Sequence, residues 1–122
     1  FRSIFDQALE GIFQITPSGR IFGNPAMASI LGYDSPDDLH TSVHQAAREL
    51  FVDQKQRAAL LSNLESKGSL RQVEAQLYRK DRSLIWGSVK IKIILDDQGD
   101  LLRWEGLLEN IRTLNLRLEA EH

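Results

Sequence analysis

An α+β fold is predicted here: strands paired antiparallel in one sheet, with helices gathered on one side of it. Three observations predict it. Apolar and polar residues alternate with period two through the last third of the chain, as half-buried strands do. The strand-like runs at both ends are joined by tight turns, which permit only antiparallel pairing. Between them, two segments begin with a capping residue followed by proline, the usual opening of a helix. The order is strand, strand, several helices, three strands, which segregates helices from sheet.

Residues 1–9 read as a short helix with Ile4, Phe5, Ala8 and Leu9 on one face, ended by Gly11. Residues 12–16 read as a strand. Pro17, Ser18, Gly19 and Arg20 form a turn, because Pro presets φ and Gly accepts positive φ. Ile21 and Phe22 begin a second strand and complete a hairpin. Asn24 caps and Pro25 opens a helix through Leu31, stopped by Gly32; Ser35 and Pro36 repeat the pattern for one more turn. Residues 42–51 read as a further short helix. A longer one runs from Asp53 to about Lys67, with Ala59, Leu60 and Leu64 as its apolar stripe, Leu61 beside them, and Gly68 as its stop.

The remaining strands follow. Val73, Ala75 and Leu77 alternate with Glu74, Gln76 and Tyr78. Ile85, Gly87, Val89, Ile91 and Ile93 alternate with Trp86, Ser88, Lys90 and Lys92. Residues 97–100 turn, and residues 101–111 form a last strand with Trp104, Gly106 and Leu108 on one face. A hairpin loop of Asp81, Arg82 and Ser83 sets a register in which Val73 faces Ile91, Ala75 faces Val89 and Leu77 faces Gly87. The other face then pairs Glu74 with Lys90, Gln76 with Ser88 and Tyr78 with Trp86. A two-residue loop would put Tyr78 opposite Ile85 and scramble both faces.

Composition narrows the function. The 122 residues amount to about one domain, and one core is affordable without staples. Fifteen Lys and Arg stand against 17 Asp and Glu, for a net charge of −2. That balance excludes the basic stripe of a nucleic-acid binder. The absence of cysteine excludes disulfides, thiolate metal sites, cysteine nucleophiles and cysteinyl-flavin photochemistry, and fits a cytoplasmic location. No run reaches the ~20 apolar residues of a membrane span, so no direct membrane contact is expected of this chain, although a parent protein is free to carry an anchor. The sequence opens on Phe1, not Met, and so reads as a fragment of something longer.

Read in order, several short motifs resemble the PAS family. They are residues 5–13 (Phe5, Asp6, Gln7, Ala8, Leu9, Glu10, Gly11, Ile12, Phe13), then residues 16–21, Asn24-Pro25-Ala26, and residues 30–33. Arg79-Lys80-Asp81, residues 84–89, Asp97-Gln98-Gly99 and Trp104-Glu105-Gly106 complete the set. Each piece is unspecific alone; their order and spacing across almost the whole chain are specific. Two departures are visible: Arg82 stands where the family often has Gly, and residues 109–112 stand where it often ends in Asp-Ile-Thr before the output helix. The resemblance implies a five-stranded antiparallel sheet with helices packed on one face, over residues 1–111, with residues 1–9 as a cap helix. Residues 112–122 become the start of a C-terminal linker helix. It also implies a sensor or dimerisation module of a bacterial-type signalling protein, covalently linked to a histidine kinase, a cyclic-dinucleotide or another output domain.

Four candidate sites follow. A ligand pocket between sheet and helices takes its wall from inward positions: Phe13 or Ile15, Ile30, Leu60, Leu64 and Val73, then Ala75, Leu77, Val89, Ile91, Trp104 and Leu108. The plain alternative is that these side chains fill the core. Ala75, Gly87 and Gly106 are small enough to leave space at the sheet centre, and Trp104 offers an indole N–H. A ligand there is small and apolar, oriented by few hydrogen bonds. The second candidate is the outer sheet face, where Tyr78, Trp86 and Leu107 call for a cover; Ile4 and Phe5 of the first helix supply it, from the same chain or from a homodimer partner. The third is the tail, where Ile111, Leu114 and Leu118 begin a coiled-coil-like seam toward an output domain. The fourth is His40 and His44, spaced i, i+4; with no third ligand they read as surface histidines, and no metal is expected. The long helix holds no histidine for a haem, so no cofactor is expected either. No catalytic constellation is present, so the chain reads as a regulatory sensor and not an enzyme. The second reading is a pocketless dimerisation module.

Overall fold

The computed structural model describes residues 4–67 and 70–111. Its elements in chain order are α1 (Ile4–Gln7), β1 (Gly11–Ile15), β2 (Ile21–Gly23), α2 (Pro25–Ile30), α3 (Pro36–Ser42), α4 (Ala46–Leu50), α5 (Gln54–Lys67), β3 (Arg71–Tyr78), β4 (Leu84–Leu95) and β5 (Leu101–Asn110). The strands form one antiparallel sheet in the order β2-β1-β5-β4-β3, and the helices lie over one face. The expected α+β architecture is the observed one.

All three hairpins share one turn chemistry. In the first, Thr16 N–H donates to Arg20 O, Gly19 N–H to Thr16 O, and Gly19 sits at φ +97°. In the last, Asp96 N–H donates to Asp100 O, Gly99 N–H to Asp96 O, and Gly99 sits at φ +84°. The middle hairpin has the same bonds, Arg79 N–H to Ser83 O and Arg82 N–H to Arg79 O, with Arg82 at φ +72°. Each is a three-residue loop whose third residue is left-handed. The middle loop is therefore Lys80, Asp81 and Arg82, not residues 81–83.

Sliding that loop by one residue moves every β3 partner by two. Val73 faces Val89, Ala75 faces Gly87 and Leu77 faces Ile85; on the outer side Gln72 faces Lys90, Glu74 faces Ser88, Gln76 faces Trp86 and Tyr78 faces Leu84. The expected pairs, Val73 with Ile91 and Tyr78 with Trp86 among them, do not form. A shift of two keeps every side chain on its face, so the inward set of β3 and β4 is unchanged.

Asn24 organises the amino-terminal part. It is fully buried, and all its bonding capacity is used. Its Oδ1 accepts from Met27 N–H and Ile12 N–H, both at 2.9 Å. Its Nδ2 donates to Phe5 O at 2.9 Å and Glu10 O at 3.0 Å. One side chain thus caps α2, holds the start of β1 and ties α1 to both. The first helix is shorter than expected, and its apolar stripe is not buried: Ile4 is 85% and Leu9 94% exposed.

Ser35 caps α3 by accepting from Asp38 N–H at 3.0 Å. Asp53 caps α5 by accepting from Lys55 N–H at 2.9 Å and Gln56 N–H at 3.2 Å. Leu60 and Leu64 are buried as expected, whereas Ala59 faces solvent, and the partly buried positions beside them include Leu61 and Arg57. Gly68, the expected stop, lies outside the described residues. Lys80 joins the middle hairpin to α3 through Asp38 at 2.8 Å, and its N–H donates to Leu31 O at 2.9 Å.

Candidate functional site

The sheet centre is filled. A Cβ on Gly106 would come within 2.5 Å of the Phe13 ring and 2.2 Å of Lys90 O; one on Gly87 would meet Leu108 at 2.7 Å and Leu77 at 3.3 Å. The space that Gly106 and Gly87 were expected to leave is taken by Phe13, Leu77 and Leu108. Ala75 is likewise fully buried in the core. Small residues at these positions admit larger neighbours and do not make a hole.

A cavity of about 180 Å³ lies instead toward α4 and α5, between them, the sheet and the β1–β2 turn. Of the expected wall, Phe13, Ile15, Leu60, Leu77, Val89, Ile91, Trp104 and Leu108 line it. Leu64 and Ala75 belong to the packed core and Ile30 lies against it. Ile30 gives way to Met27, because α2 turns Met27 toward the sheet, where a Cβ on Gly11 would come within 2.9 Å of its Sδ. Val73, partly buried, packs against the core beside Ala75 and not on the cavity.

Several lining residues were not foreseen. Ile21, Met27, Leu50 and Phe51 complete the apolar surface, and Gln45, Arg48 and Arg57 stand at its edge. Arg57 was detectable: it lies three residues before Leu60 and four before Leu61, on the same face of α5. Two lining residues carry a buried nitrogen with no hydrogen-bond partner among the described residues, Arg57 Nε and Trp104 Nε1. A buried donor left unpaired costs about 1–3 kcal/mol. No Asp or Glu lines the cavity.

The outer face is more open. Tyr78 carries the Arg82 guanidinium 3.9 Å from its ring centre. Trp86 is 37% exposed, and Leu107 lies in a shallow groove with Ile12, Gln14, Lys90 and Lys92. Asn24 holds α1 at the start of α2, and Trp86 stays uncovered. The structure therefore does not bring Ile4 and Phe5 over Trp86. Ile111 is buried, and its N–H donates to Trp86 O at 3.0 Å, which roots the chain's last described residue on β4. Leu114 and Leu118 lie outside the described residues.

His40 and His44 do not share a helix. His40 Nδ1 lies 2.9 Å from Ile21 O and its ring stacks on Phe22 at 4.3 Å, fastening α3 to β2, while His44 follows α3 and is exposed. Among the described residues no three His, Cys, Asp or Glu come together as a metal site. Nor is any helix among them long and apolar enough to cross a membrane.

Comparison with known proteins gives a consistent family. A family model described as a PAS domain matches residues 9–113. No curated protein matches the chain. Among solved structures, the PAS domain of a protein from Colwellia psychrerythraea superposes with a TM-score of 0.77 at 20% identity, covering 90% of this chain and 92% of that one. A sensory box histidine kinase/response regulator from Burkholderia thailandensis gives 0.71 at 18% identity over 96% of this chain and 88% of that one. The N-terminal domain of a diguanylate cyclase with a PAS/PAC sensor from Marinobacter aquaeolei gives 0.69 at 13% identity over 87% and 98%.

Proposed function

This chain belongs to the PAS domain family, and from that premise we propose that it is the sensory domain of a cytoplasmic signalling protein, binding a small ligand in the cavity beneath α4 and α5. The observation that carries the reading is the cavity itself: apolar on its floor, polar at its edge, and bounded by helices that pack on β3 and β4. A ligand that prefers one arrangement of these helices biases the domain between two states, by no more than its difference in affinity for them. The change passes along β4 and β5 to Ile111, and from there into a linked output domain such as a histidine kinase or a cyclic-dinucleotide enzyme. The domain itself catalyses nothing in this reading.

Thermal melting of the chain with and without a small-molecule library tests it. A ligand of the folded state at 100 times its Kd adds about 2.7 kcal/mol of stability and raises Tm accordingly. The exposed outer face favours a second reading, a homodimer built on Leu84 and Trp86, which are 41% and 37% exposed. No compound raising Tm, together with a concentration-dependent dimer in sedimentation, decides for that one.

A further inference from the structure

Resting on the ligand-binding reading above, we infer that the cavity takes a small carboxylate: a compact amphiphile whose head is held by Arg57 and Trp104 and whose body lies on Phe13, Met27 and Leu108. Size sets the first limit. A cavity of about 180 Å³ is close to the ~150 Å³ cavity that accepts one benzene molecule, so the whole ligand carries about six carbons.

Chemistry of the wall sets the second. Among the described residues the buried nitrogens without partners are on Arg20, Arg57, Arg71, Arg79 and Trp104, and of these only Arg57 and Trp104 line the cavity. An indole nitrogen has a single donor and no other way to be satisfied. Both nitrogens are closed off in the structure and can only donate, so a ligand that engages them turns these side chains toward itself and must accept. Arg48 and Arg57 put two cations at the edge of the cavity and no Asp or Glu lines it, so an acceptor that carries negative charge is favoured over a neutral one. A planar carboxylate suits the guanidinium fork and has a lone pair left for the indole. An ammonium head is rejected by the same charges.

Titration of the chain with hexanoate, hexanamide, hexylamine and benzene tests this, followed at the Trp104 indole N–H resonance, which Trp86→Phe identifies. Hexanoate is expected to shift that resonance and to bind about tenfold or more tighter than hexanamide, with hexylamine not binding. Arg57→Gln is expected to weaken hexanoate about tenfold, to the affinity that hexanamide has for the unmodified chain. If hexanamide or benzene binds as well as hexanoate, the carboxylate assignment falls and the apolar cavity stands; this comparison needs no variant. If none of the four perturbs Trp104, both fall. A hexanoate preference that survives in a folded Arg57→Gln chain overturns the role given to Arg57.

Discussion

The two ends of the helical layer are built differently. At the α2–α3 end the space is filled: Met27 fills the room beside Gly11 and Gly23, Leu39 and Leu31 are fully buried, and Asn24 satisfies four backbone groups, while Arg20 and Arg79, whose buried Nε atoms lack partners, reach this end without facing a cavity. At the α4–α5 end the same sheet faces a cavity, and two buried donors lack partners. One end is a fixed joint that sets the position of β1. The other retains free volume, which is what a ligand can exploit. A domain that is packed throughout has nothing to report, and one hollow throughout has nothing to hold its frame.

That contrast can be broken most severely at Asn24. Asn24→Ala strands two N–H and two C=O groups in a buried site, and we expect a loss of about 3 kcal/mol, read as a lower urea midpoint. A loss below about 1 kcal/mol would show that this end is not the fixed one. A pair of matched enlargements sharpens the comparison. Ala28→Leu adds volume at the filled end and is expected to cost about 1–3 kcal/mol. Ala47→Leu adds the same volume on the cavity wall and is expected to be neutral or to stabilise by about 0.5–1 kcal/mol. Equal costs would mean that the cavity is closed in solution.

The smallest expected effect is on pH dependence, and it falls on the fixed end. The hydrogen bond from Lys80, and next that from Asp34 N–H, hold the Asp38 carboxyl below its ordinary value of 3.8. Its folded value lies below its unfolded one, so this contribution is complete above about pH 4 and is lost as pH falls through the lowered value. Lys80, raised from 10.5 by the same pair, loses its share as pH rises above that value. Asp38→Asn is expected to flatten part of the acid limb of a stability–pH curve, with Asp81, lowered chiefly by Ser83, retaining another part. An unchanged acid limb would remove Asp38 from the account.

How far the sequence could be read depended on whether a local signal marked the feature. The Pro17–Arg20 and Asp97–Asp100 turns were legible because Gly19 and Gly99 mark the left-handed residue. The middle hairpin was misplaced by one residue because Arg82 occupies that conformation without the marking glycine. The faces of β3 and β4 survived the error because period-two alternation fixes the face, and a shift of two leaves it intact. The cap at Asn24 was legible; its grip on Phe5 O and Glu10 O was not, since those partners lie 19 and 14 residues away.

Period-two and period-3.6 patterning, glycine and proline placement, and capping residues determined the elements, their order and the antiparallel sheet, because each acts within a few residues. Which inward side chains fill the core and which line a cavity was decided only in three dimensions. Phe13 lies on Gly106, 93 positions away in the chain; Met27 displaces Ile30; and the cavity forms where α4, α5 and Trp104 converge. Free volume is the difference between what the backbone encloses and what all the side chains together occupy, and no local stretch of sequence carries that difference.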